Sequence, residues 1–299
     1  MRVGLVKMPY TGARNVAEIS DVPDYLARGG IAERLSRLGA STGPIAEIDL
    51  TTDQKKEYGT WHRMGMANGH LARLVASTVG DGSLSVGLLA NCTSLLGVLG
   101  GLQQAASSPE RIGIVFIDAH GDFNTPETTL SGMLGGMPVA VAAGLALHNL
   151  REESGLEVPI PTENIVLGAV RDLDPLEQRL VEEHRLARFS VDDIRSLAPR
   201  LREVMDDLSG RTDFIYVHVD MDVLDPAEVP GHPLTVPDGP TSQELARAIE
   251  LMFGYEKAAA FGVASTPAGE RDPGGVSRHA AYRLVEAAVR GVQSRSSTR

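Results

Sequence analysis

Two short segments that end in acidic residues constrain this chain more than anything else in it. Ile112 to Ile117 reads IGIVFI, an apolar run suited to a strand buried on both faces, and Asp118, His120 and Asp122 follow it at alternate positions. Extended backbone turns residues i, i+2 and i+4 the same way, so two carboxylates and an imidazole are expected to converge at the strand's C-terminal end. Phe214 to Val219, FIYVHV, repeats the device, and Asp220 and Asp222 follow it. Four carboxylates crowded where water is scarce would repel one another, and bound cations are the usual remedy. The pair of segments therefore predicts a metal site, with two ions. A solvated loop would explain the first segment alone but not its recurrence about 100 residues later, as a parallel sheet whose strand ends meet at one edge would give.

The rest of the chain supplies that sheet. Strands are expected at Arg2–Met8, Ile45–Leu50, Ser85–Ala90, Ile112–Ile117, Ile165–Val170, Ala187–Ser190, Phe214–Asp220 and Ala258–Val263. Helical spacing falls between them at 29–38, 55–79, the LLGVLGGL run after Ser94, 137–147, 175–184, 191–208, 241–253 and 276–292, and residues 9–28 are expected as a loop containing proline. Alternation without a repeat period or a linker predicts a single α/β domain over residues 1–293, doubly wound with helices on both faces of a mainly parallel sheet. A (β/α)₈ barrel is the rival, and it too would place the site at strand C-terminal ends. The polar end, residues 294–299, is expected as a disordered tail.

Composition narrows the function. A formal net charge of −11 argues against binding to nucleic acid or anionic membrane, both of which need basic surface. Cys92 is the only cysteine, so no internal disulfide can form, and there is neither a signal-like start nor an apolar run long enough to span a membrane. A cytoplasmic enzyme acting on a small molecule fits these limits. Trp61, inside a helical pattern, reads as packing.

At DAHGDFNTPETTLSG and VDMDVLDP the sequence resembles the arginase and agmatinase family, the ureohydrolases, over nearly its whole length. Looser matches at GGIAERLSRLG and VRDLDPLE fall in the family's order. The resemblance implies a three-layer α/β/α sandwich around an eight-stranded mainly parallel sheet, and a homo-oligomer, trimer or hexamer. It implies two manganese ions: Asp118 and Asp220 bridging, Asp122 completing one shell, His120 and Asp222 the other. Asp122, Asp220 and His120 would also serve catalysis. Two divalent ions about 3.5 Å apart would share and acidify a water, giving hydrolysis of a carbon–nitrogen bond. By the same resemblance Asn124, Thr129, Ser131 and Asp174 hold the substrate; ordinary loop capping is the alternative for each.

Three departures from the family pattern bear on substrate and metal. Where the family has histidine in G-G-D-H-S, this chain has Leu89-Ala90-Asn91-Cys92-Thr93, so Cys92 would replace a histidine ligand and draw preference toward Zn²⁺ or Fe²⁺; a small buried packing residue is the alternative. Gly135 stands where arginases have a proton-shuttling histidine, and Ala264 where they have a glutamate that grips the guanidinium. Either Glu270 substitutes for that glutamate or the substrate is not a simple guanidinium. These features resemble most closely the branch that hydrolyses N-hydroxyarginine for D-cycloserine biosynthesis. Hydrolysis of a non-guanidino amide or formimino compound, and a catalytically silent relative that binds a ligand or partner, are the competing readings; retention of the whole acidic cluster argues against the latter. His218, two residues before Asp220, could approach the site or pack in the core.

Overall fold

The computed structural model describes residues 1–11 and 21–295. Its strands are β1 (Arg2–Met8), β2 (Ser41–Thr42), β3 (Ala46–Glu47), β4 (Leu84–Leu89), β5 (Ile112–Ile117), β6 (Ile165–Gly168), β7 (Ala187–Phe189), β8 (Phe214–Asp220) and β9 (Ala258–Ala264). All pair in parallel in the order β2-β1-β4-β9-β8-β5-β6-β7, with β3 also beside β1. The sheet is open, which excludes the barrel. The expected strand at 45–50 is instead two short pairings flanking Gly43 and Pro44, where proline has no N–H to give to the ladder.

Alternate strand residues feed opposite layers. Ile112, Ile114 and Phe116 of β5 pack with the helices at Thr60–Gly80, Leu95–Ala105, Pro138–Ala142 and Pro175–Glu183. Val115 and Ile117 face the other way, onto the helices at Val22–Arg28, Ile31–Arg37, Pro199–Arg211, Ser242–Phe253 and Val276–Ser294. Both layers are apolar, which leaves the rim where the strands end as a place for a polar site.

Several helices differ from their expected bounds for identifiable reasons. Pro23 opens a helix at Val22–Arg28, within the stretch expected as loop, because proline is well tolerated in a first turn. The expected helix 191–208 is two, broken at Leu197, which has φ 50°, just before Pro199 starts the second. The 137–147 segment is helical only at Pro138–Ala142, and a short helix follows at His148–Glu153. The final helix continues through Ser294, and Arg295 donates to the carbonyls of Phe253, Glu256 and Ala258, so the disorder expected from 294 does not begin there; 296–299 lie outside the described residues. Among the described residues, no helix is long and apolar enough to cross a membrane.

Candidate metal centre

Four adjacent strands, β4, β9, β8 and β5, bring their C-terminal ends together. The consecutive strands β4 and β5 flank the inserted β9 and β8, the kind of switch in strand order beside which open α/β sheets bind ligands. Cys92 follows β4, Asp118 to Asp122 follow β5, Asp220 ends β8, and Ser265 follows β9.

The convergence is made differently from simple strand alternation. β5 stops at Ile117, and beyond it the Asp118 carboxylate accepts the His120 N–H at 2.7 Å, a local turn. Asp122 then takes φ 47°, a left-handed conformation that aspartate tolerates better than most residues. At Gly121 a Cβ would lie 2.7 Å from Glu177 Oε1, and Glu177 Oε1 accepts the Phe123 N–H at 2.8 Å. Asp220 accepts the Asp222 N–H at 3.0 Å, which folds 221–223 into a single tight turn and returns Asp222 to the site.

The donors crowd. Cys92 Sγ lies 2.8 Å from Asp220 Oδ2 and 4.0 Å from Asp118 Oδ2, and His120 Nδ1 lies 3.3 Å from Asp118 Oδ1 and 3.1 Å from Asp222 Oδ2. Cys92, Asp118 and Asp122 form one group with metal-ligating spacing; Asp118, His120 and Asp222 form a second that shares Asp118. A third joins Asp220 and Asp222 to His232, whose Nε2 is 3.8 Å from Asp220 Oδ1. All four aspartates and Cys92 are buried.

Burial and mutual repulsion perturb these groups strongly. Burial, then the Asp220 charge, raises the Asp118 carboxyl; burial, then Asp118, pushes Asp122 well above the usual carboxylate range. Asp220 is raised by burial and Asp222, while Asp222 is raised by burial to about 6. Burial and the Asp220, Asp122 and Asp118 charges push the Cys92 thiol up. His120 is the counterweight: burial opposes its charge, but its bonds to Asp118 and Asp222 push it up to about 12. A set of hard carboxylate oxygens, one imidazole and one sulfur, short of positive charge, is the chemistry that fits divalent transition-metal ions.

A cavity of about 410 Å³ opens on this cluster. Asn124, Ser131 and Asp174 line it, and the Asn124 amide donates to Asp174 at 3.1 Å. Thr129 is not brought to it: its hydroxyl accepts the Gly132 N–H at 3.1 Å, so it caps the turn. Glu270 does not replace the missing glutamate either, for it lies exposed in the 269–271 turn while Arg271 lines the cavity. Gly135 faces open space, with nothing within 4 Å of a Cβ built on it. Ala264 is buried at the end of β9, and the cavity wall beside it is Ser265 and Thr266. Ser265 donates to Asp220, and the buried Thr266 hydroxyl has no hydrogen-bond partner among the described residues.

Sequence reasoning missed His232, Thr266, Arg271 and Arg171. Arg171 donates to the carbonyls of Ala169, Val223, Val236 and Pro237, pinning the loop that carries His232 against the strand ends. His232 sits in a loop rich in glycine and proline, where no periodicity marks it; the signal that could have found it is a lone histidine shortly after D-x-D.

Comparison with known proteins agrees with this geometry. A sequence model described as "Arginase family" matches residues 37–289. The chain belongs to the arginase family. Among curated relatives, it is 30% identical to an arginase of Bacillus caldovelox over 77% of this chain and 79% of that one. It is 27% identical to an arginase of Bacillus subtilis over 84% and 85%. Its fold matches a crystal structure of arginase from Bacillus subtilis with TM-score 0.83 at 23% identity, covering 97% and 98% of the two chains. It also matches a formimidoylglutamase from Bacillus subtilis with TM-score 0.72 at 20% identity, covering 97% and 87%.

Proposed function

We propose that this protein hydrolyses a carbon–nitrogen bond of a guanidino-type small molecule at a two-ion centre, and that it prefers a hydroxylated guanidine of the N-hydroxy-L-arginine kind to L-arginine. Cys92, Asp118, Asp122 and Asp220 would hold one ion, and Asp118, His120, Asp220 and Asp222 the other; manganese is the family's metal, and Cys92 makes zinc or iron alternatives. Bound ions supply Lewis acidity and an acidified water for attack on a planar carbon.

The observation that carries the substrate reading is the wall at the end of β9. An arginase-type site has a carboxylate there for the guanidinium, whereas here Ala264 is buried and the wall beside it is Ser265 and Thr266. An N-hydroxyguanidine is less basic than a guanidine, so it relies less on an ion pair. His232 adds a donor. Its Nδ1 accepts the Leu234 N–H at 3.2 Å, which leaves the ring proton on Nε2, toward Asp220 and the cavity.

The other end of the ligand would meet Asn124, Ser131 and Asp174, and Arg271 lines the same cavity. Leu130, Met133 and Leu234, all exposed at this cavity, suit a methylene chain. The ligand is thus an amino acid or a close relative. A formimino or amide compound is the second reading, favoured by the lack of a carboxylate at Ala264.

Manganese-loaded protein offered N-hydroxy-L-arginine, L-arginine, formimino and amide compounds separates these readings. Release of ornithine and hydroxyurea from the first, at least about 10²-fold faster than ornithine release from arginine, supports the proposal. Equal rates on the two guanidino compounds, or reaction of the formimino compound alone, refutes it.

A further inference from the structure

Cys92 has a neighbour that belongs neither to the ligand set nor to the cavity wall. β8 presents Tyr216, His218 and Asp220 at alternate positions, and the first two are wholly buried. His218 stacks on Phe116 of β5 with ring centroids 5.2 Å apart and planes 10° from parallel. Both its nitrogens are engaged: Nδ1 lies 2.7 Å from the Tyr216 hydroxyl and Nε2 lies 3.2 Å from Cys92 Sγ. The Tyr216 hydroxyl reaches that position because Gly262, the register partner of His218 on β9, has no Cβ; one built there would fall 2.1 Å from the phenolic oxygen.

The direction of these bonds follows from counting hydrogens. Tyr216 has a single O–H and, among the described residues, no acceptor for it but His218 Nδ1. A buried hydroxyl left without an acceptor costs about 1–3 kcal/mol, so it donates to Nδ1. A neutral imidazole carries one N–H. It is then on Nε2, aimed at sulfur.

We propose that His218 is a positioning residue for a metal-binding sulfur: its Nε2–H, fixed by the Tyr216 hydroxyl, donates to Cys92 Sγ and so sets the sulfur's direction and the charge it lends to the ion. The inference rests on the reading of Cys92 as a ligand. Four carboxylates and a thiolate bring more negative charge than two divalent ions neutralise, and a hydrogen bond to the sulfur draws part of that charge away from the metal. Partners of this kind, hydrogen-bonded to a ligand rather than to the ion, typically change metal affinity about 10- to 100-fold.

The test is the absorption spectrum of the cobalt(II)-loaded protein, in which a cysteine ligand gives a sulfur-to-metal charge-transfer band. His218→Phe, which keeps the stacked ring and removes the donor, moves the band to lower energy at equal cobalt content, since an unbonded thiolate gives up its electron more easily. His218→Gln, whose side-chain amide can donate, restores part of the shift. Tyr216→Phe moves the band in the same direction by less, because Nδ1 is then free to take the proton. A band unmoved in His218→Phe overturns the inference while leaving Cys92 a ligand. If His218→Phe does not fold, an unmoved band in both His218→Gln and Tyr216→Phe overturns it equally. No charge-transfer band in the wild-type protein with cobalt bound overturns the ligand role of Cys92 and this inference with it.

Discussion

Cys92 Sγ and Asp220 Oδ2 lie 2.8 Å apart although 128 positions separate them in the chain, because β4 and β8 flank β9 and end at the same rim. Asp220 is the hub of the cluster. It also accepts from Ser265 and from the Asp222 N–H, and His232 faces its other oxygen.

Asp220→Ala is therefore expected to abolish metal binding and turnover together while leaving the fold intact. The residue it removes is a buried carboxylate whose like-charged neighbours disfavour it, so the metal-free variant should melt no lower than metal-free wild type. Elemental analysis and a thermal scan check this. A variant that retains a full complement of metal would remove Asp220 from its bridging role.

Cys92→His should raise manganese affinity and shift activity toward L-arginine, since imidazole is neutral and harder than thiolate. In the wild-type protein, bound metal should protect the thiol from alkylation and chelation should expose it. Labelling at the same rate in both states would leave Cys92 a packing residue.

The sign of the pH dependence of stability should invert with metal. Burial holds the Asp118, Asp122 and Asp220 carboxyls above the usual carboxylate range, and Asp222 at about 6. A carboxyl raised on folding favours the folded state at low pH, and that contribution is lost as pH rises from about 4 through the folded value. Metal needs the deprotonated forms, so its protection grows over the same range. The melting temperature should fall between about pH 5 and about pH 7.5 in chelator and rise with manganese. The same slope in both conditions would count against a buried acidic metal centre.

Gly135→His tests the gap left at the position of the arginase proton shuttle. The site has room for a side chain and no positive φ to penalise one. L-Arginine turnover should rise by up to about 10²-fold, the low end of what a placed acid contributes, with a smaller gain on a hydroxylated guanidine. An equal gain on both substrates would show that the missing histidine does not set the preference.

The two strands that carry the site were legible almost to the residue, Ile112–Ile117 and Phe214–Asp220, because unbroken apolar runs ending in Asp leave little alternative. All five acidic and imidazole ligand candidates and Cys92 do converge. The means of convergence was not legible: alternation suggested extended backbone to Asp122, but the chain turns at Asp118, and Asp122 adopts a left-handed conformation set by tertiary contacts. Thr129 and Glu270 resembled substrate groups by position alone; Thr129 accepts a turn N–H and Glu270 lies exposed in a tight turn. His232 and Thr266 come from irregular segments, where distance along the chain says little about distance in space. His218 was ambiguous in sequence and turns out to do both things, packing in the core and touching the site.

The most direct measurement is an anomalous difference map from crystals of the manganese-loaded protein, collected at the manganese absorption edge. Two peaks about 3.5 Å apart are expected, with Asp118 and Asp220 between them, Cys92 and Asp122 on one and His120 and Asp222 on the other. No peak among these side chains at full manganese loading, or a single peak that leaves Cys92 and Asp122 uncoordinated, would contradict the two-ion account.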